Sequence, residues 1–339
     1  MSRPSRKLIV RWGPYLVVSV AAAAFLWANR SDVPVATRIL RHAHPGFIAL
    51  GLVLVLVALI NQTGLHRAAQ RAAGLEPTIG ELLRPIAAGG FLNLVIKSGA
   101  MAGMAPLLAL ATRRRRSRGR TIAGYLLVNV LGHLAFAAAL CGSLIVLIVD
   151  GRFTRIDAIA TGVFALTTAM QLLLVATAVR SRAAIRRLYA LPHQIVTAVR
   201  RGQDRVGAQS SFDSADELFD SVQLLRRRPR AVLPAVGHAL AVEMIGMAQL
   251  WCVLRALKIH PPLSVPVVAY SVSVLFTIVG FLPGGLGFVE AGLGAVLVSF
   301  GLTVPTAAAA IVLYRLLELW IPMLIGAVAA HSVARTAWT

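Results

Sequence analysis

The chain has 339 residues, of which 58% are hydrophobic and only 14% are charged. A mean hydropathy of +0.76 and several apolar windows of about 20 residues indicate a polytopic membrane protein and leave no stretch for a large soluble domain. The net charge of +21 would favour nucleic-acid binding in a soluble protein, but here the arginines cluster between apolar segments, where they orient membrane helices and meet anionic headgroups.

The first predicted membrane helix covers about residues 12–28 and follows four basic residues. A secretory signal peptide has the same layout. The large side chains of Phe25 and Trp27 do not suit a small-residue cleavage site, and they favour a retained helix. A second span is predicted for about residues 45–65.

Two short apolar pieces come next. Twelve uncharged residues separate Arg84 from Lys97, and fifteen separate Lys97 from Arg113. At a rise of about 1.5 Å per residue, neither piece comfortably crosses about 30 Å of hydrocarbon. Residues 85–112 therefore read as a re-entrant hairpin whose tip is Asn93–Gly99. Basic residues flank the hairpin on both sides, which places both of its ends in the cytoplasm.

The middle of the chain contains two further predicted spans, at about residues 121–149 and 158–179. Residues 180–230 follow, with eleven arginines. Part of this segment has apolar residues at near-helical spacing, which fits a basic helix on the cytoplasmic membrane face. A solvated linker between two membrane halves, residues 1–179 and 231–339, is the alternative.

The second half begins with a predicted span at about residues 231–254. Apolar pieces at 263–282 and 286–301 meet at a turn of proline and glycine and form a broken hairpin, residues 263–301. A last span covers about residues 306–333. The sequence thus predicts an all-α polytopic membrane protein with about six to eight membrane helices. Residues 263–301 are either a re-entrant hairpin or two full spans. Taken as a hairpin, they enter from the side opposite to the first hairpin, as an inverted repeat with a site at the midplane would produce.

One acid stands alone in the second hairpin. No residue from Pro261 to Val289, and none from Ala291 to Tyr314, carries a formal charge, so Glu290 is predicted to lie at membrane depth. Such a charge costs at least about 2.5 to 3.5 kcal/mol and usually faces a cavity, a partner or a substrate. The adjoining turn can offer N–H groups to an anionic headgroup or allow close helix packing; its candidate residues are Pro283, Gly284, Gly285 and Gly287.

A second pair of charges lies in the last span. Arg315 and Glu318 are three residues apart, so they share one helix face. One reading is a structural ion pair. The other is that Glu318 or Glu290 orients the guanidinium to hold a phosphate. Lys97, beside Ser98 and Gly99 at the first hairpin tip, is either a second phosphate contact or a lysine that reaches the interface.

The sequence lacks the motifs of the commonest enzymes. It has no Walker glycine loop, no HExxH, no GxSxG and no metal-ligand spacing of cysteine and histidine. Cys141 and Cys252 lie in apolar runs and read as core thiols, and His133 and His238 read as hydrogen-bonded core histidines. No catalytic residue, metal or cofactor is therefore predicted.

Three stretches of the second half carry a family resemblance. Pro283 to Glu290, Leu313-Tyr-Arg315 and Trp320-Ile-Pro322 resemble the flippase-like membrane domain of lysylphosphatidylglycerol synthases. Its signature is Pro-Gly-Gly-x-Gly-x-x-Glu followed by a Tyr-Arg pair, so the resemblance adds Tyr314 to the site. It covers about residues 45–330. Asn93 and Lys97-Ser-Gly-Ala-Met-Ala-Gly103 occupy the place of the family's other motif, but without its proline and Gly-Glu pair.

The resemblance implies a flippase-like protein of the bacterial inner membrane. The number of spans and the distribution of basic residues predict that both termini are cytoplasmic. It would move or bind an anionic phospholipid or a polyprenyl-linked lipid, and we expect a translocase rather than an enzyme. The alternatives are a membrane-embedded enzyme or accessory subunit for lipid-linked sugar or aminoacyl-lipid modification, with Glu290 as general base, and a lipid-binding partner of a separately encoded synthase. The chain ends at Thr339 without an aminoacyl-transferase domain, so lysine transfer is not expected.

Overall fold

The computed structural model describes residues 39, 41–96, 101–151, 155–180, 205–280 and 282–337. Within these ranges the chain is helical and contains no strand. The all-α prediction is therefore confirmed. The predicted first helix, the hairpin-tip residues 97–100 and residues 181–204 of the basic segment lie outside the described residues.

The helices alternate with short turns. In chain order they are α1 (Pro45–Ala72), α2 (Ile79–Val95), α3 (Ala105–Arg113), α4 (Arg118–Val149), α5 (Arg155–Arg180), α6 (Arg205–Arg227), α7 (Leu233–Ala256), α8 (Ser264–Val279), α9 (Phe288–Ser299), α10 (Val304–Arg315) and α11 (Ile321–Ala337). Short 3₁₀ turns precede α3, α7 and α9, and a π-helical turn joins α10 to α11.

Four described segments are long and apolar enough to cross a membrane: Pro45–Ala72, Arg118–Val149, Pro229–Ala256 and Val304–Val333. Apolar side chains also cover the outer surface of the bundle, where Ile145 and Leu173 are 63% and 65% exposed. Apolar surface on this scale needs a lipid environment or a partner to cover it. The membrane class predicted from composition is confirmed.

Helix α1 continues about two turns beyond the end predicted at residue 65. His66, Ala69 and Gln70 are buried there, and a Cβ atom on Gly124 of α4 would lie 3.1 Å from the Cα atom of Gln70. The helix continues because it packs on α4, whereas the hydropathy pattern registers only the apolar run that ends before these residues.

Basic residues gather at one end of the bundle, which we call the basic end. Glu81, in the first turn of α2, pairs with Arg114 and Arg116 just beyond α3. Glu217 of α6 accepts hydrogen bonds from the Ser117 hydroxyl and the Gly119 N–H at the start of α4. These contacts, with a hydrogen bond from Arg120 to the carbonyl of Gly74 just after α1, bring the end of α1, both ends of the α2–α3 hairpin and the start of α4 to the same side.

The second hairpin begins and ends at the opposite end of the bundle. There the His44 N–H, just before α1, donates to the carbonyl of Ala256 at the end of α7. Helices α8 and α9 are antiparallel, and a Cβ atom on Gly292 of α9 would lie 2.5 Å from the Phe276 ring of α8. The turn between them reaches α2, so the two hairpins approach from opposite ends. The division into two halves, and a repeat relating them, stay predictions.

Candidate functional site

The turn between α8 and α9 has a backbone that only glycine accommodates. Gly284 and Gly285 adopt left-handed φ values of 63° and 65°, a conformation that costs other residues about 1–2 kcal/mol. A Cβ atom on Gly284 would also lie 2.8 Å from Leu319, and one on Gly285 would lie 2.9 Å from the Cα atom of Thr277. The glycines therefore allow the sharp turn, the close packing of Gly284 against the last span and that of Gly285 against α8.

Glu290 connects this turn to the last span. Its Oε2 atom accepts a hydrogen bond of 2.6 Å from the N–H of Gly287, the N-cap residue of α9. Its Oε1 atom accepts one of 2.6 Å from Nε of Arg315. The carboxylate lies in the first turn of α9, where the helix dipole favours negative charge. Both of its oxygen atoms are thus engaged.

Arg315 is fully buried, with 0% of its side chain exposed. Besides Glu290, it donates from Nη1 to Oε2 of Glu318 at 3.1 Å and from Nη2 to the carbonyl of Gly284 at 2.8 Å. An unpaired buried charge would be very costly, so these acceptors are needed to keep the guanidinium there. We call Glu290, Arg315, Glu318 and the Gly284 carbonyl the arginine cluster.

Glu318 lies on the π-helical turn Leu316–Trp320 that joins α10 to α11. Pro322 has no N–H to donate to the carbonyl of Glu318 four residues earlier, which weakens regular α-helical bonding at this point. Wide turns of this kind occur frequently at functional sites. Glu318 is also the most exposed member of the cluster, at 31% of its side chain against 11% for Glu290.

A cavity of about 370 Å³ adjoins the arginine cluster, and we call it the central cavity. Helices α1, α2, α7, α8, α10 and α11 contribute to its wall, which is largely apolar. Glu318 is the member of the arginine cluster whose side chain lines it. The other polar side chains of the wall are Gln62, Gln249, Tyr270 and Tyr314. A mostly apolar recess with a few polar groups is typical of a ligand site.

A second buried acid lies near this cavity. Glu243 of α7 is 8% exposed, and its Oε2 atom accepts a hydrogen bond of 3.0 Å from the hydroxyl of Tyr270 on α8. Gly246 makes room for Tyr270, because a Cβ atom there would overlap the ring. Nothing in the sequence indicated Tyr270 as the partner of Glu243.

Asn93, predicted as a site residue, connects α2 to the turn before α3 and to α4. Its Oδ1 atom accepts a hydrogen bond of 2.6 Å from the N–H of Gly103, and its Nδ2 atom donates to the hydroxyl of Tyr125 at 3.1 Å. The structure does not bring Asn93 to the arginine cluster, although its neighbours Phe91 and Leu94 line the central cavity. The other predicted residues of this tip, Lys97, Ser98 and Gly99, lie outside the described residues.

The second-half residues predicted from the sequence do meet in space. Gly284, Glu290, Arg315 and Glu318 form one hydrogen-bonded group, and Tyr314 beside them lines the central cavity. A family model described as the lysylphosphatidylglycerol synthase TM region matches residues 15–326. The chain belongs to this family. Neither a curated protein nor a solved structure matches it.

Membership of the lysylphosphatidylglycerol synthase TM region family confirms the resemblance read from the second-half motifs. The match covers nearly the whole chain, so the described helices and the central cavity lie almost entirely within it. Together with the four apolar spans, it makes this an integral membrane protein of a lipid-related family.

Proposed function

We propose that the protein moves an anionic phospholipid, or a polyprenyl-linked lipid, between the two leaflets of the bacterial inner membrane. The observation that carries this proposal is a fully buried arginine whose second carboxylate partner, Glu318, lines a cavity among membrane helices. A guanidinium held in this way can donate a charge-assisted hydrogen bond to a phosphate oxygen that takes the place of a carboxylate.

The headgroup binds by exchange with Glu318. The contact between Arg315 and Glu318, at 3.1 Å, is the longest of the three around the guanidinium, and Glu318 is the cluster's most exposed carboxylate. A phosphate oxygen that enters the central cavity replaces this carboxylate on Nη1. Glu290 and the carbonyl of Gly284 stay in place and keep the guanidinium oriented.

The size of the central cavity fits a headgroup rather than a whole lipid. Its volume of about 370 Å³ lies near the lower end of the range for small-molecule sites, about 300–1,000 Å³. The acyl chains therefore remain in the bilayer while the polar part crosses. Replacing the hydration of a phosphate by a guanidinium lowers the cost of taking it through hydrocarbon.

The orientation follows from the positive charges. The basic end of the bundle lies in the cytoplasm, as the positive-inside rule favours, and both termini lie on the same side. The hairpins then enter from opposite faces and their tips meet near the midplane, where a transported group needs contacts from both directions. Lys97, at the first tip, supplies a second phosphate contact in this scheme.

Both oxygen atoms of Glu290 are already used, on Gly287 and on Arg315. A general base needs an oxygen atom within reach of the substrate proton, so this arrangement favours a holding role for Glu290. Lipid analysis of a deletion strain separates the two functions. Loss of a lipid species would indicate an enzyme, whereas a changed leaflet distribution of an unchanged set of lipids agrees with transport.

Transbilayer movement in liposomes tests the proposal. We expect wild-type protein to accelerate movement of labelled phosphatidylglycerol or polyprenyl phosphate, and to act weakly on phosphatidylcholine. Arg315→Lys keeps the charge but loses the planar fork, and should slow movement about ten-fold or more. Leu316→Ala, at a neighbouring side chain that is 44% exposed, is the matched control and should transport normally. No movement of any of these lipids by the wild type would overturn the proposal.

A further inference from the structure

A second recess of about 400 Å³ lies between α1 and the beginning of α7, at the basic end of the bundle. We call it the basic groove. It is lined by Asn61, Arg67, Arg71 and His238 together with apolar side chains that include Val57 and Ile60. None of these residues was predicted as part of a binding site.

The basic groove and the central cavity lie on different faces of α1. Val57, Asn61 and Gly64 line the groove, and this spacing of four and three residues follows one face of a helix. The central cavity takes Leu59 and Gln62 from the same stretch. Helix α1 therefore separates the two recesses, and an occupant of the groove does not contact the arginine cluster beside the central cavity.

A hydrogen-bonded pair forms the polar floor of the groove. The Nδ2 atom of Asn61 donates to the carbonyl of His238 at 3.0 Å, and Oδ1 of Asn61 lies 2.7 Å from Nδ1 of His238. Because the amide nitrogen is used on the carbonyl, Oδ1 accepts and Nδ1 carries the proton. A Cβ atom on Gly64 would lie 2.6 Å from Cε1 of the ring, so this glycine allows the His238 ring to pack directly against α1.

Positive charge dominates the wall. Arg67 and Arg71 lie on successive turns of α1, and none of the described residues that line the groove is acidic. Arg71 pairs with Glu76 at 2.9 Å, but the two side chains are 47% and 76% exposed, and an exposed pair of this kind exchanges partners at little cost. The Nε atom of Arg67 donates to the carbonyl of Pro77, which orients its guanidinium.

The mouth of the groove is apolar. Val57 and Ile60 are 40% and 57% exposed on a helix that spans the membrane, so they face acyl chains. An occupant must therefore offer a phosphate to the arginines and hydrocarbon to the mouth. We propose that the basic groove binds the phosphate headgroup of an anionic phospholipid from the leaflet at the basic end. This binding goes beyond the proposed transport and does not require it.

Photochemical labelling tests the site. The probe is phosphatidylglycerol with a photoreactive group high on one acyl chain, added to wild-type protein in nanodiscs and mapped by mass spectrometry. We expect labels on peptides that contain residues 57–71 and 231–238. The Arg67→Gln/Arg71→Gln variant should be labelled at least about ten-fold less there, since each charge-assisted contact contributes on the order of ten-fold in affinity.

The control variant carries the same change of charge. Arg113 and Arg118 are exposed at the same end and do not line the groove, so Arg113→Gln/Arg118→Gln should keep wild-type labelling. Arg71→Gln alone changes an exposed position and replaces the double variant if that variant fails to fold. It should also reduce labelling of the groove measurably. Arg315→Lys should leave labelling at the groove unchanged, so failure of transport and failure of this site are distinguishable.

Three results would overturn the proposal. They are equal labelling of the wild type and both variants of the groove, equal labelling of the wild type by photoreactive phosphatidylcholine, and removal of the label by inorganic phosphate alone. The second would mean that the mouth binds acyl chains regardless of the charge of the lipid headgroup. The third would mean that the arginines bind free phosphate and that the hydrocarbon contributes nothing.

Discussion

Glu290→Gln changes one charge in the arginine cluster and preserves the shape of the side chain. Glutamine can still accept from the Gly287 N–H with its amide oxygen, but its NH₂ group then faces Nε of Arg315, which is also a donor. The variant therefore loses a charge-assisted hydrogen bond at a fully buried arginine. Such a bond contributes about 1.5–3 kcal/mol, and breaking a buried pair costs about 3–5 kcal/mol when no partner remains.

Two acceptors do remain for Arg315, namely Glu318 and the Gly284 carbonyl, so we expect a loss of about 2–3 kcal/mol in the free energy of unfolding. For a chain of 339 residues, with an unfolding entropy of about 2.1 cal/mol/K per residue, the loss corresponds to a fall of about 3–4 °C in Tm. Thermal unfolding of purified protein in detergent measures it. Glu318→Gln removes one longer contact from a partly exposed carboxylate and should lower Tm by only about 1–2 °C.

The decisive result is which of the two variants has the larger fall in Tm. Equal losses, or a larger loss for Glu318→Gln, would refute the assignment of Glu290 as the anchor of Arg315. Leu316→Ala provides the baseline, because this exposed side chain lies on the same turn as Glu318 and outside the cluster.

Three further predictions concern the elements that support the site. Gly284→Ala should destabilise the protein by about 1–2 kcal/mol in thermal unfolding because of its left-handed φ, whereas Gly80→Ala, where a Cβ atom meets nothing within 4 Å, should not. Asn93→Ala leaves the buried N–H of Gly103 without its acceptor and should cost about 1–3 kcal/mol, with faster hydrogen exchange of that amide; normal exchange would contradict the assigned contact. The pKa of Glu81 is lowered by a hydrogen bond from the N-cap N–H of α2 and by two nearby arginines. The stabilisation that ionised Glu81 gives the folded protein should therefore be present above the ordinary carboxyl pKa and disappear as the pH falls through the lowered pKa. The Tm values of wild type and Glu81→Gln, plotted against pH, should converge in acid and separate towards neutral pH.

The second-half site could be predicted because its signals are local. Glu290 is the only charged residue across a long apolar run, and the proline and glycines beside it mark a broken helix. Arg315 and Glu318 reveal their shared face by spacing alone. What the sequence left open was the partner of Glu290, because its contact with Arg315 joins residues 25 positions apart.

Contacts between distant elements could not be predicted. Tyr270 meets Glu243 across two helices, and its position in an apolar helix carries no polar pattern. The π-helical turn at Glu318 was not foreseen either, although Pro322 removes the donor that regular bonding would need. The basic groove was missed for the same reason, since Arg67 and His238 come together only when α1 packs against α7.

The most direct test of the central claim is where a lipid headgroup comes to lie. Phosphatidylglycerol with a photoreactive headgroup should label central-cavity residues of the wild type, in peptides that contain Phe91 and residues 317–323. Glu318→Gln, which removes the competing carboxylate, should increase this labelling, and Arg315→Lys should reduce it. No label in the central cavity, or labelling that neither substitution changes, would contradict the exchange of Glu318 for lipid phosphate on Arg315.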